Sequence, residues 1–260
     1  MTPPTHPLVI ARRGTIPLVV SVPHDGDKPI SGVERRRDRD ASGEATVRDL
    51  NTIPLAREMG RWLERLSRAR GGGQPYLVYT TAARRYVDMN RPEAEAYEDP
   101  DAAPCYRAYH ASLRTFLREV WARWPQASAS GALVMDLHGQ ATFRESLVRG
   151  TRDGQTVSRL IARHGKAALV GPDSVFGGLE ARGYQVVPPG ATPDAAEPRA
   201  FRGGFIVATN GSHHENGIDA IQIEVGTALR TNRSRRDRLA RALAESVAAF
   251  RVRYALPDDG

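Results

Sequence analysis

The chain has 260 residues and a single cysteine, Cys105. One thiol excludes an intramolecular disulfide and a cysteine-based zinc cluster. No apolar stretch reaches the roughly 18–20 residues that a membrane helix needs, so no spanning segment is expected. The first ten residues, with prolines at 3, 4 and 7, have neither the basic head nor the continuous apolar stretch of a secretory signal. These absences point to the cytoplasm. Internal repeats and long low-complexity stretches are missing as well. Lysine is almost missing: Lys28 and Lys166 are the only two, against 35 arginines.

Hydrophobic residues make up 40% and charged residues 26%, enough to bury a sizeable core. The length suits one domain over residues 1–260. The net charge is +7 and the isoelectric point about 10.0, a balance common to nucleic-acid-binding proteins. Here, however, the arginines are scattered and mixed with acids, as in Glu34-Arg-Arg-Arg-Asp-Arg-Asp40. The chain has no zinc-finger or ribonucleoprotein signature and no basic tail. Neither nucleic acid nor membrane is an expected partner. A small anionic substrate is favoured, by a field that salt weakens.

Apolar spacing predicts strands over 18–22, 76–80, 132–137, 184–187, 205–208 and 220–225. Helical spacing covers 49–70, 101–124, 155–164, 173–182 and 234–253. Residues 25–48 and the proline-rich 188–200 read as loops, the second long enough to cover a site. This alternation argues an α/β domain, a mainly parallel or mixed central sheet flanked by helices. Ligands of such sheets sit beyond the carboxyl ends of the strands.

Four strand-linked segments carry the chemistry there. They are Pro23-His24-Asp-Gly26, Arg84-Arg85-Tyr-Val-Asp88-Met-Asn90-Arg91, Asp136-Leu-His138-Gly139 and Gln222-Ile-Glu224. Two imidazoles closing apolar strands, with an in-strand carboxylate nearby, suit a zinc site with three protein ligands and a fourth position for water. A metal lowers the pKa of that water towards about 7, and a nearby carboxylate can take its proton. Glu224 shares a strand face with Gln222, where an unpaired carboxylate would be costly. It is expected to meet a charge or a metal.

In order and spacing these segments, together with Gly203-Gly-Phe-Ile206, resemble the N-formylglutamate amidohydrolase family over about residues 18–230. That family is similar to the zinc carboxypeptidases. The resemblance implies a zinc-carboxypeptidase-like (phosphorylase/hydrolase-like) sheet, one zinc per chain, and hydrolysis of the amide of an N-acyl amino acid. It implies that His24 and His138 are metal ligands, joined by an acid. Asp49 stands where the family keeps an acidic residue, Asp27 would reproduce the carboxypeptidase spacing, and Glu44 is a third option. Asp49 is preferred. By the same resemblance Asn90 and Arg91 grip the substrate carboxylate with Arg85 beside them, Arg84 stabilises the oxyanion, and Glu224 is the general base. Asp88 is expected to be a buried partner of the arginines, and Arg152 and Thr156 to shape the acyl pocket.

The segment Ala208-Thr-Asn-Gly211-Ser-His-His-Glu-Asn216 departs from the family's Tyr-Gly pair, which leaves the reaction type standing but not the substrate. A carboxypeptidase-like hydrolase of short or modified peptides is therefore an alternative. A non-catalytic or nucleic-acid-binding protein on the same scaffold is the alternative of another class. His110 and Cys105 are expected in core packing, and His213 and His214 on the surface.

Overall fold

The computed structural model describes residues 5–37, 46–129 and 131–255. Seven strands form one mixed sheet: β1 (Val9–Arg12), β2 (Leu18–Val22), β3 (Tyr76–Thr80), β4 (Leu133–Gln140), β5 (Ser146–Gly150), β6 (Gln185–Val187) and β7 (Asp219–Gly226). Their order is β1-β3-β2-β4-β7-β5-β6. The central strands β3, β2, β4 and β7 run parallel. β1 joins antiparallel at one side, and β5 pairs antiparallel with β7 and parallel with β6. Every residue of β2 and β3 is buried. Both faces of the sheet are covered, so these strands read as continuous apolar runs rather than alternating ones.

The main helices are α1 (Thr52–Arg65), α2 (Ala103–Arg123), α3 (Phe205–Asn210) and α4 (Arg233–Phe250). Leu55, Met59 and Leu63 of α1 and Leu239, Leu243 and Val247 of α4 share a core with Leu18, Val20, Met135 and Ile223. Tyr109, Leu113 and Phe116 of α2 and Ile206 and Val207 of α3 share another with Val19, Val78, Val134 and Ala220. Odd and even positions of the strands thus feed opposite layers. The second layer is apolar only at its far end. Along β4 and β7 its face continues as Asp136, His138, Gln222 and Glu224, and the register pairs Asp136 with Gln222 and His138 with Glu224.

Several elements differ from the sequence reading. Residues 205–208, expected as a strand, form α3. Four apolar residues fit either state, and here the start is fixed by side chains: Asn90 Oδ1 accepts the Ile206 N–H at 2.8 Å and Gln222 Oε1 the Gly204 N–H at 2.7 Å. The apolar spacing does not predict strands β1 and β5, and β4 continues to Gln140, which puts His138 inside a strand. Helix α1 is shorter than 49–70 at both ends: Asn51 takes a left-handed conformation, φ 70°, before it, and Leu66 is extended after it. The described part of loop 25–48 is held against the end of β3: Lys28 N–H donates to Thr81 O and Ala83 N–H to Lys28 O. Gly26 permits that approach, since a Cβ there would lie 2.1 Å from the Ala82 carbonyl oxygen. Among the described residues no helix is long and apolar enough to cross a membrane.

Candidate metal centre

Strand β2 lies between β3 and β4, so the chain leaves it in one direction and returns on the other side. At such a switch point the loops splay and open a crevice at the carboxyl ends of the strands. His24 follows β2, His138 lies in β4 and Glu224 in β7, three neighbouring positions on that edge. Asp49 is carried in from the long loop. Its N–H donates to the His24 carbonyl at 3.0 Å, and its Oδ2 accepts the Gly139 N–H at 2.9 Å. The segment is tied down further by Asp25, whose buried carboxylate accepts the N–H groups of Asn51 and Ile53 and the Arg48 Nε–H.

His24, Asp49 and His138 are all buried, and one ligand atom of each lies within 4.8 Å of the others. The imidazoles are arranged alike. His24 Nε2 is 2.7 Å from Asp88 Oδ1, and His138 Nε2 is 2.8 Å from Asp136 Oδ2. Their Nδ1 atoms face Asp49 Oδ2 at 3.5 and 3.4 Å. A carboxylate behind each ring fixes its orientation and tautomer and raises the basicity of the opposite nitrogen, the arrangement typical of metal-ligating histidines. His24 Nδ1 is buried with no hydrogen-bond partner, a costly state that a cation would relieve. Burial opposes charge on His138, but Asp136 and Asp49 outweigh it and raise its pKa well above the ordinary imidazole value. Burial likewise opposes ionisation of Asp49, yet the two imidazoles hold its carboxyl well below the usual range. A field that favours a proton between these groups also favours a metal ion. The donor set, two imidazoles and a carboxylate, is one that zinc accepts with a position to spare.

The other residues singled out from sequence fall into place unevenly. Glu224 is buried beside His138, and Gln222 Nε2 donates to its Oε1 at 3.0 Å. Burial pushes its carboxyl up to about 7, against the pull of His138. Asp88 is fully buried; Arg84 Nε donates to it at 2.9 Å and the Asn90 N–H at 2.9 Å. Burial works against its charge, but His24 and Arg84 keep its pKa well below the ordinary value. Asn90 Nδ2 lies 3.2 Å from His138 Nε2, and Arg91 Nε lies 3.7 Å from Asp88.

A cavity of about 750 Å³ opens over the group, lined by the three candidate ligands, Glu224, Arg84, Asn90 and Arg91. Its far wall is Arg152 and the segment from Arg199 to Phe205, the end of the proline-rich loop. Arg85 does not line it; it is exposed, its guanidinium 5.7 Å from the Tyr86 ring centre. Thr156 is buried away from it, bonded to the Thr151 and Ala220 carbonyls. Asp27 is exposed and pairs with Arg48 at 2.9 Å, and Glu44 lies outside the described residues. His110 and Cys105 are buried in the core and His214 is exposed, with His213 half-buried against it.

Sequence reasoning did not identify Asp25 as the tether of Asp49, nor Asp136 as the partner of His138. The second was visible in principle, since residues two apart on a strand share a face. It also missed Arg230, which packs over Gly139 and donates to the Val225 and Leu50 carbonyls. Nothing in the local sequence marks that residue.

No family model matches the chain, and the curated proteins give no match. Among solved structures it resembles N-formylglutamate amidohydrolase from Ralstonia eutropha JMP134, with a TM-score of 0.66 at 17% identity over 95% of this chain and 98% of that one. A gene product from Agrobacterium tumefaciens matches with a TM-score of 0.52 at 16% identity, over 92% and 93% of the two chains. At such identities the likeness establishes the fold.

Proposed function

We propose that the protein is a zinc-dependent amidohydrolase that cleaves the amide bond of an N-acyl amino acid or a related small carboxylate. The observation that carries this reading is the convergence of two carboxylate-backed imidazoles on Asp49, with Glu224 beside them, in a cavity lined by arginines. The structural likeness to an amidohydrolase supports it. When bound, a zinc ion supplies an acidified water and a Lewis acid for a carbonyl oxygen.

The chain's own residues supply the rest. Glu224, whose carboxyl burial pushes up, is poised to accept a proton at its carboxylate and return it to the leaving nitrogen. Proton exchange at neutral pH is favoured by a carboxylate raised in this direction. Gln222 fixes one of its oxygens and hence its orientation. Arg84 is anchored through Nε to Asp88, which leaves the outer edge of its guanidinium for the oxyanion of the reacting amide. Arg91 and Asn90 take the substrate carboxylate, a task for a forked guanidinium and an amide.

The test is turnover of N-acyl amino acids and of dipeptides by zinc-loaded wild type and Glu224→Gln. The variant is expected to stay folded and metal-loaded while kcat falls about 10²–10⁴-fold, the worth of general acid–base assistance. Turnover at the wild-type rate by loaded Glu224→Gln would remove its assigned role. Turnover of dipeptides alone would move the enzyme to the peptidase alternative.

A further inference from the structure

The four arginines of α2 divide by their partners. Arg107 pairs with Glu93 at 2.7 Å and Arg123 with Glu119 at 3.4 Å. Between them, Arg114 and Arg118 are exposed, and among the described residues neither has an acidic partner. Both border a groove of about 800 Å³ between α2 and residues 209–217. Their neighbours in it, His110, Leu117 and Trp121, follow at helical spacing and form one stripe along α2.

The opposite wall is already built. Arg159 reaches behind it and donates to the carbonyls of His214, Glu215 and Gly217, the last two at 2.7 and 2.8 Å. Trp121 Nε1 donates to the Asn216 carbonyl at 3.0 Å, and the Arg159 guanidinium sits 5.5 Å from the centre of its ring. A wall held in this way needs little ordering when a ligand arrives. At the inner end, His110 Nε2 is bonded to the Met89 carbonyl at 3.0 Å. Glu215 is the one carboxylate on the lining, against two guanidiniums. The groove and the metal-centre cavity share no lining residue, the groove reaching Thr209 and Asn210 of α3 and the cavity Phe205 and Ala208.

We infer that this groove is a second ligand site, separate from the metal centre, for an organic anion with a flat apolar body: an aromatic carboxylate. Arg114 and Arg118 bind the carboxylate through charge-assisted hydrogen bonds. Trp121 and Leu117 receive the ring, on the indole face that Arg159 does not cover. An aliphatic anion would leave that face unused, and a neutral arene would leave both guanidiniums unmatched.

Titration of the full chain with 2-naphthoate, followed by calorimetry and by tryptophan fluorescence, tests the assignment. The wild type is expected to bind one equivalent with a change in emission. The double variant Arg114→Gln, Arg118→Gln, whose changes are on the surface, is expected to bind at least tenfold more weakly with an unaltered melting temperature. Arg91→Ala, in the other cavity, is expected to bind as the wild type does. No binding by the wild type, undiminished binding by the double variant, or loss of binding in Arg91→Ala would each overturn the site.

Discussion

Each histidine of the candidate centre works through both of its nitrogens. Asp88 and Asp136 hold the Nε2 sides, so the Nδ1 sides are aimed at Asp49. Removing Asp88 or Asp136 leaves a buried ring nitrogen without its partner, which costs more than the bond itself contributes. His110 shows the opposite case, a histidine buried without a carboxylate. Burial lowers its pKa from the ordinary 6.5 to about 4. Above pH 6.5 both folded and unfolded chains hold it neutral, and it adds no pH dependence. As pH falls from 6.5 towards 4, only the unfolded chain takes up the proton, so stability is lost. The loss at pH 5 is expected to be about 2 kcal/mol. Urea denaturation at pH 7.5 and pH 5 of wild type and His110→Gln measures it; an equal pH response in both would contradict the assignment. The two histidines of the candidate centre are legible in the sequence because His24 and His138 stand near glycines at the ends of apolar runs. Asp49 is preferred over Asp27 on the resemblance alone; the physical reason lies in the fold, where the path of the loop brings Asp49 to the two histidines and Asp27 to Arg48.

Among the elements, α1 shows how a secondary structure serves the site. Its Asn51 makes no side-chain cap, and Asp25, from the end of β2, accepts the N–H groups of Asn51 and Ile53 instead. One carboxylate therefore caps the helix and ties Asp49 to His24. Asp25→Ala is expected to cost about 1–2 kcal/mol as a lost cap. Because Asp49 is released as well, metal affinity is expected to fall with it. Thermal melts with and without added zinc separate the two effects: a loss of the same size in both would make Asp25 a cap alone. Elements with long apolar spacing, such as α2 and the central strands, were readable from sequence. α3 was not, because Asn90 and Gln222, which start it, are 115 and 17 residues away from its first residue, Phe205. β5 was hidden by Arg149, a charge in a buried strand that is balanced by Glu197 at 3.1 Å.

For the molecule as a whole, the sheet's switch point decides where chemistry can sit, and distant loops decide what is admitted. The cavity draws arginines from 84, 91, 152, 199 and 202, a grouping that no single stretch of sequence displays. The sheet tolerates wide sequence change because any well-packed apolar set fills its two layers, which is how the fold is shared at 17% identity. The polar face of β4 and β7 is fixed instead by its bonded pairs, Asp136 with His138 and Gln222 with Glu224. Everything proposed for the site rests on His24, Asp49 and His138 holding one ion between them. Elemental analysis of protein purified without chelator, alongside Asp49→Asn and Asp27→Asn prepared in the same way, tests this most directly. Wild type and Asp27→Asn are expected to carry about one zinc per chain, and Asp49→Asn to lose most of it while remaining folded. Metal-free wild type that binds no added zinc, or full zinc occupancy in Asp49→Asn, would contradict the metal centre.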